Sequence, residues 1–193
     1  MRNPLVVGPR IYLRPSEKSD GEAVSRFQSL ESETFMDRGR VPFSPLAFES
    51  LMDDIYKNQP PSDIWLTACL VSDDVPIGTF QLFDIDWINR HAETGAWIHD
   101  PAYRSQGYGT EAKHLLLEYA FDHLQMHSLI SYVWEPNTRS AAAVQKQGYR
   151  PAGRIKWDDI KDGVYRDTLL FDILRDEWLA GRDAWREKLA ARG

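Results

Sequence analysis

Cysteine is almost absent from this sequence: Cys69 is the only one in 193 residues. A lone thiol closes no intrachain disulfide and fits a reducing compartment, with Cys69 itself read as a small core residue. Long apolar runs are also missing. No stretch approaches the roughly 20 apolar residues of a membrane span. The opening MRNPLVVGPRIYLRP has too short an apolar run, and too many prolines and arginines, for a signal peptide. Positive charge is scarce as well, with 23 Lys and Arg against 29 Asp and Glu and a formal net charge of −6. That balance argues against a nucleic-acid partner, whose binding rests on clustered basic residues, and it suits cationic partners such as amines. What remains is a cytoplasmic protein of single-domain size. Its 42% apolar residues can build a core, and its 27% charged residues are ordinary for a folded domain.

The chain divides into short, well-punctuated elements. RIYLRP is a strand closed by Pro15, and SDGEAVSRFQSL a helix with Asp20 as N-cap and Ala23, Val24 and Phe27 on its apolar face. Pro45 to Tyr56 forms a second helix, with Pro45 in its first turn. Three strand-like runs follow, IWLTACLV, PIGTFQLFDI and AETGAWIHD, and the short breaks SDDVP and DWINRH between them predict antiparallel hairpins. Then come a helix over 109–124, the strand SLISYVW, a helix over 138–147 stopped by Gly148, and the strand YRPAGRIKW. A hairpin about the DG of DIKDGVYRDTLLFDIL leads to a closing helix, RDEWLAGRDAWREKLAAR, which Gly181 is expected to interrupt. Trp178, Trp185 and Leu189 on that helix pack onto the domain or against a second copy, so a monomer and a homodimer both fit. Glu111, His114, Glu118 and Asp122 recur at helical spacing and are read as the wet stripe of their helix. His123 and His127 lack the neighbouring Glu of a zinc helix, and no metal is expected. The fold class is α+β, an antiparallel meander leading into a mixed sheet.

The loop YRSQGYGT, residues 103–110, sits immediately before the 109–124 helix. A Walker loop is excluded because Gly109 is followed by Thr110 and Glu111 rather than Lys and Ser or Thr. GYGTEA does match the dinucleotide pattern G-x-G-x-x-A, with Glu135 at the end of the next strand. Seven residues separate the strand from the first glycine, however, the loop follows antiparallel strands, and Glu135 lies 28 positions past Gly107, where about 20 is expected. A bare diphosphate asks for less. Residues 105–110 can turn consecutive amides toward one anion at the positive end of the helix, with Arg104 adding a charge. An ordinary glycine-rich helix entry without a ligand fits the same pattern.

RSQGYG opening a helix, with TEA on its first turn, resembles the acetyl-CoA loop of the GNAT superfamily of N-acetyltransferases. RIYLRPSEKSDGEAVSRF is similar to the opening of the RimJ/RimL-type ribosomal-protein acetyltransferases. PIGTFQLFDID and HAETGAWIHDPAYRSQGYGTEA follow their central strands in order, and EPNTRSAAAVQKQGYRPAGR resembles their asparagine helix and following strand. The likeness covers about residues 8–178, leaving 179–193 as a helical extension. It implies a GNAT fold: a mixed, mostly antiparallel sheet, splayed at the acetyl-CoA site and flanked by helices. It implies acetyl-CoA as co-substrate, no metal, and an amine as acceptor. Backbone groups of Trp97, Ile98 and His99 would bond the pantetheine arm. Arg104, Ser105, Gln106, Gly107, Tyr108, Gly109 and Thr110 would hold the diphosphate. Asn137, otherwise a plain N-cap, would meet the arm; Arg139 and Lys146 on the same helix form a solvated basic face or else meet the nucleotide 3′-phosphate. Gly95, in the strand before the loop, marks a close backbone or ligand approach, or else a bulge.

Acyl transfer to an amine needs a neutral nitrogen. A lysine amine is almost wholly protonated at neutral pH, whereas an α-amine near 7.8 is already about a tenth neutral. Glu93, at the start of the strand before the loop, is the candidate base, with a salt-bridged edge carboxylate as the bland alternative. Asp84 and Asp86 stand in reserve and also suit a turn. The sequence departs from the family at Val144, where members commonly carry the tyrosine that protonates the departing thiolate. Tyr149, Tyr132 and Tyr108 are the nearby hydroxyls. The expected acceptor is a protein N-terminus, ahead of a polyamine or aminoglycoside, with acceptor choice assigned to residues 30–62. A non-catalytic acyl-CoA-binding module, favoured by Val144, and a dinucleotide-dependent oxidoreductase are the competing classes.

Overall fold

The strand runs IWLTACL and PIGTFQLF are buried along nearly their whole length, so helices cover both faces of the sheet. The computed structural model describes residues 1–30, 43–161 and 163–190. Its strands are β1 (Val6–Val7), β2 (Ile11–Pro15), β3 (Ile64–Leu70), β4 (Pro76–Asp86), β5 (His91–Ile98), β6 (Ser128–Trp134), β7 (Arg150–Lys161) and β8 (Val164–Leu174). They form one mixed sheet in the order β1-β2-β3-β4-β5-β6-β8-β7, antiparallel throughout except where β5 meets β6. The helices are α1 (Gly21–Leu30), α2 (Pro45–Lys57), α3 (Tyr108–Glu118), α4 (Thr138–Lys146) and α5 (Arg175–Ala190). Among the described residues no helix is long and apolar enough to cross a membrane.

Leu66, Ala68, Phe80, Leu82, Ala92 and Leu129 face α3, α4 and α5, joining Leu116, Val144 and Trp178 in the larger core. Trp65, from the alternate side of β3, packs with Val24 of α1 and Phe48 and Met52 of α2 in a smaller one. The sheet therefore divides the molecule into an α3–α4–α5 face and an α1–α2 face.

Several expectations are corrected. Asp20 precedes α1 but does not cap it. Its carboxylate turns inward to Arg14 at 2.6 and 2.9 Å, the Glu17 amide at 2.8 Å and Thr67 Oγ1 at 2.8 Å. The helix beginning at the glycine loop is regular only to Glu118 and continues as a π turn over Tyr119–His123. The supposed wet stripe is covered. Glu111 and His114 are buried, while Glu118 and Asp122 pair with Arg186 and Arg182 of α5 at 3.3 Å. α5 runs unbroken through Gly181, where an added Cβ would meet nothing within 4 Å. Trp178 stacks on Phe121 and Trp185 on His114, with centroids 5.2 and 3.9 Å apart. Leu189 and Asp162 fall outside the described side chains, as does much of the expected acceptor-choosing segment.

The Arg14–Asp20 pair is 3% and 4% exposed. Burial by itself raises the Asp20 carboxyl, but the bonds from Arg14, Glu17 and Thr67 hold it below its usual range. Its contribution is present above the unfolded carboxylate value near 3.9 and is lost as pH falls through the lower folded value. Asp20→Ala leaves a buried guanidinium unpaired and should destabilise the fold by about 3–5 kcal/mol. Urea denaturation at neutral pH measures this, and a change below about 1 kcal/mol would refute it.

Candidate active site

The site begins where the parallel pair ends. β5 and β6 share only His91↔Ser128, Ala92↔Leu129 and Glu93↔Ile130; beyond that the strands diverge into a fork. Thr94 lies at its crotch. Its hydroxyl donates to the Ile130 carbonyl at 3.0 Å and lies 2.8 Å from the Tyr149 hydroxyl. With the Thr94 proton on Ile130, Tyr149 donates to Thr94. Past the crotch β5 stays paired with β4 on one edge, Gly95↔Gln81 and Trp97↔Thr79, and its other edge faces the opening. Pairing runs unbroken through Gly95, so the bulge explanation is set aside. A Cβ there would come within 2.6 Å of Gln81 Oε1 and 2.7 Å of the Phe83 ring.

The glycine loop closes one end of the fork. Asp100 caps a short 3-10 turn by accepting from the Ala102 amide at 2.9 Å. Ser105 and Gly107 then adopt φ of 62° and 84°, which reverses the chain into α3. Arg104 braces this turn, donating from Nε to the Ile98 carbonyl and from Nη2 to the His99 carbonyl, each at 3.0 Å. Gln106 holds the Ala102 carbonyl. Arg10 donates to the Gln106 carbonyl at 3.3 Å, lies over the Tyr108 ring at 4.6 Å, and pairs with Glu111 at 2.8 Å. The first bond within the helix runs from the Glu111 amide to the Gly107 carbonyl. The amides of Tyr108, Gly109 and Thr110 come before it, and no side chain at Gly107 caps them. Gly109 is the telling position: a Cβ there would meet only Ile98 Cγ1, at 3.5 Å. Nothing inside the protein demands glycine at that point. A diphosphate lying on these amides would, and the loop fits one.

The other expected contacts are unevenly placed. Trp97 and Ile98 lie along the open fork, half-buried. His99 is buried, with Nε2 3.2 Å from Thr79 Oγ1 and its amide on the Ile77 carbonyl; burial pushes its imidazole down to about 3. Asn137 caps α4, accepting from the Ser140 amide at 3.1 Å. Arg139 and Lys146 are exposed on the same helix. Val144 is buried among apolar neighbours. Of the three nearby hydroxyls, Tyr132 is 45% exposed and Tyr108 packs with Arg10 and Tyr103. Tyr149 alone reaches the crotch. Asp86 is a turn residue, accepting from the Ile88 and Asn89 amides. Among the described residues no group of three His, Cys, Asp or Glu side chains is arranged to hold a metal ion.

Glu93 is half-buried on the α1–α2 side of β5. Burial raises its carboxyl, and the charges of Asp84 and Asp63 add to the shift against the opposing pull of Lys113. Phe83, the register partner of Glu93, lines a cavity of about 240 Å³, together with Phe43, Trp65, Trp97 and the side-chain amides of Gln28 and Gln81. Lys113 was not a sequence candidate. It is 2% exposed on α3, and burial brings its amine down to about 7 despite the favourable charge of Glu93. A signal for it did exist: Lys113 occupies the helical stripe shared by Leu116, Leu117 and Ala120, where an apolar residue belongs.

Residues 10–150 match the family model described as an acetyltransferase (GNAT) domain. Among curated proteins, the chain is 25% identical over 169 residues to the uncharacterized N-acetyltransferase YnaD of Bacillus subtilis, covering 88% of this chain and 96% of that one. It is 27% identical over 103 residues to the spermidine N(1)-acetyltransferase of Escherichia coli, 53% of this chain and 55% of the other. Among solved structures, a chimera of the spermidine N-acetyltransferase SpeG from Vibrio cholerae and hSSAT superposes with a TM-score of 0.80 at 20% identity, covering 88% and 98% of the two chains. At that identity the likeness is one of fold.

Proposed function

This chain belongs to the GNAT acetyltransferase family and is an acetyl-CoA-dependent N-acetyltransferase, and we propose that its acceptor is the α-amine of a peptide or protein with an apolar first side chain. The observation that carries this is the cavity lined by Phe83, the register partner of Glu93, whose walls include four aromatic rings and two side-chain amides. Aromatic walls offer a first side chain a dry seat. The nitrogen then lies toward Glu93, where the nearby charges of Asp84 and Asp63 favour an incoming ammonium. Trp97, Ile98 and the amides of residues 108–110 are assigned to acetyl-CoA, with Asn137 and Arg139 at its outer part. The buried thiol of Cys69 and the demand for acetyl-CoA both suit the cytoplasm.

Glu93 removes the proton from the ammonium or from the attacking nitrogen. Its raised carboxyl makes it a stronger base than an ordinary glutamate, active above its shifted value. Glu93→Gln should therefore lower kcat/KM by about 10–100-fold at neutral pH and recover as rising pH neutralises the amine unaided. A loss of equal size at every pH would assign Glu93 to structure instead.

A polyamine is the second reading. It is favoured by the carboxylates gathered near Glu93 and by the name of the Escherichia coli relative. The deciding experiment follows thiol release with acetyl-CoA and a panel of peptides beginning with Phe, Met or Ser, together with spermidine and an aminoglycoside. Apolar-start peptides should lead in kcat/KM by about tenfold, the order of a well-filled apolar pocket. A lead for spermidine would establish the polyamine reading.

A further inference from the structure

We propose that Lys113 is the proton donor of the reaction, protonating the thiolate of coenzyme A as the acetyl group departs. The proposal rests on the reading that the thioester lies in the fork between β5 and β6.

The geometry comes first. Lys113 projects from α3 into the larger core, where its Nζ lies 5.5 Å from the centre of the Tyr149 ring. Tyr149 is tied by its hydroxyl to Thr94, and Thr94 to the carbonyl of Ile130, the last residue of β6 paired with β5. The ammonium is thus set behind the crotch of the fork, on the α3–α4–α5 face. Glu93 precedes Thr94 by one position on β5, so its side chain leaves the sheet on the α1–α2 face. The two groups flank the opening from opposite sides, close enough for the charge of each to act on the other.

The surroundings leave Lys113 available. Glu93 is the carboxylate from β5 that acts on it. Tyr149 contributes a ring face rather than an acceptor, and burial pushes its phenol up, making it a weaker acid than a thiol. His114, next on α3, is held neutral by burial and by the Lys113 charge. Beside the same helix, Arg10, just before β2, is paired with Glu111, and Arg14 on β2 with Asp20. A lysine in an apolar stripe with no carboxylate bound to it is a poor structural element. Its chemistry suits a donor. An ammonium near 7 gives its proton readily to a thiolate whose ordinary value is about 8.5.

The step balances. The nitrogen lone pair attacks the thioester carbonyl carbon, the C–N bond forms, and the nitrogen's proton passes to Glu93. Collapse breaks the C–S bond, with its electron pair going to sulfur. Lys113 gives that sulfur a proton and becomes a neutral amine. The proton on Glu93 then returns to Lys113 through the opening, restoring both groups. Val144 needs no hydroxyl in this scheme.

The test is Lys113→Met, which places an apolar side chain of similar length in an apolar stripe and should fold. One readout needs no acceptor: the thiol of bound coenzyme A is titrated by its ultraviolet thiolate absorbance from about pH 6 to 10, spanning the ordinary thiol value. While Lys113 is charged, up to about pH 7, its ammonium should give the wild type thiolate absorbance that the variant lacks at the same pH. The second readout is turnover with the best acceptor. The variant should lose about 10–100-fold in kcat and lose the decline above about pH 7, while binding acetyl-CoA within about threefold of wild type. An unchanged bound-thiol titration, or an unchanged kcat profile, overturns the proposal and leaves the acetyltransferase reading standing. Failure of wild type and variant alike to bind coenzyme A overturns both.

Discussion

Gly109→Val should fold like the wild type and lose acetyl-CoA by at least about a thousandfold in Kd, or roughly 4 kcal/mol. Two facts separate binding from folding at this position. Its backbone is not in the left-handed region, unlike that of Gly107 at 84°, so a side chain carries no strain. The added Cβ makes only an ordinary contact with Ile98, and valine at this half-buried first turn is no poorer a helix former than the glycine it replaces. The branched side chain would nonetheless stand over the amides of residues 108–110, where the diphosphate must approach within hydrogen-bond distance. Circular dichroism checks the fold and calorimetry the affinity. Wild-type affinity in a folded variant would move the diphosphate elsewhere.

Lys113→Met should gain stability while it loses rate. The folded lysine titrates at about 7 against 10.5 in the open chain, so the unfolded state binds more protons between those values. Wild-type stability must then rise with pH across that window, and the burial penalty is full below it. The gain in the variant is therefore largest near pH 6, at most about 5 kcal/mol from the size of the shift, and it fades toward pH 10.5. Denaturant midpoints at the two ends of the window measure it. A gain that does not change with pH would mean that Lys113 stays as protonated in the folded protein as in the open chain, with no lowered value. A residue kept against the stability of the core, beside the candidate base, is where a trade of stability for activity is expected.

Local features were legible in the sequence, and covered ones were not. β6 occupies the span read from SLISYVW, and α2 begins at Pro45 with Ser44 as its cap, because alternation, proline and capping act within a few residues. The glycine loop was legible for the same reason: its conformation is written in consecutive residues. The stripe Glu111–His114–Glu118–Asp122 was misread because periodicity identifies a face without saying what lies over it. Arg10 reaches Glu111 across 101 positions, and Arg182 reaches Asp122 across 60. Gly181 was misread as a break because a helix held by Trp178 and Trp185 tolerates one glycine. The neighbourhood of Lys113 depends on the parallel pairing of Glu93 with Ile130, on the Thr94 hydroxyl reaching the Ile130 carbonyl across 36 positions, and on Tyr149 arriving from a third segment. No local pattern encodes that meeting.

The two-sided fork also governs traffic. In the proposed arrangement acetyl-CoA would lie against the loop and α3 and the amine would come in past the aromatic cavity on the other face, so neither would have to leave before the other enters. The single thiol, Cys69, is fully buried on β3 and cannot carry the acetyl group between separate visits. On this reading both reactants occupy the protein together, and the acetyl group passes straight from sulfur to nitrogen through a gap in the sheet.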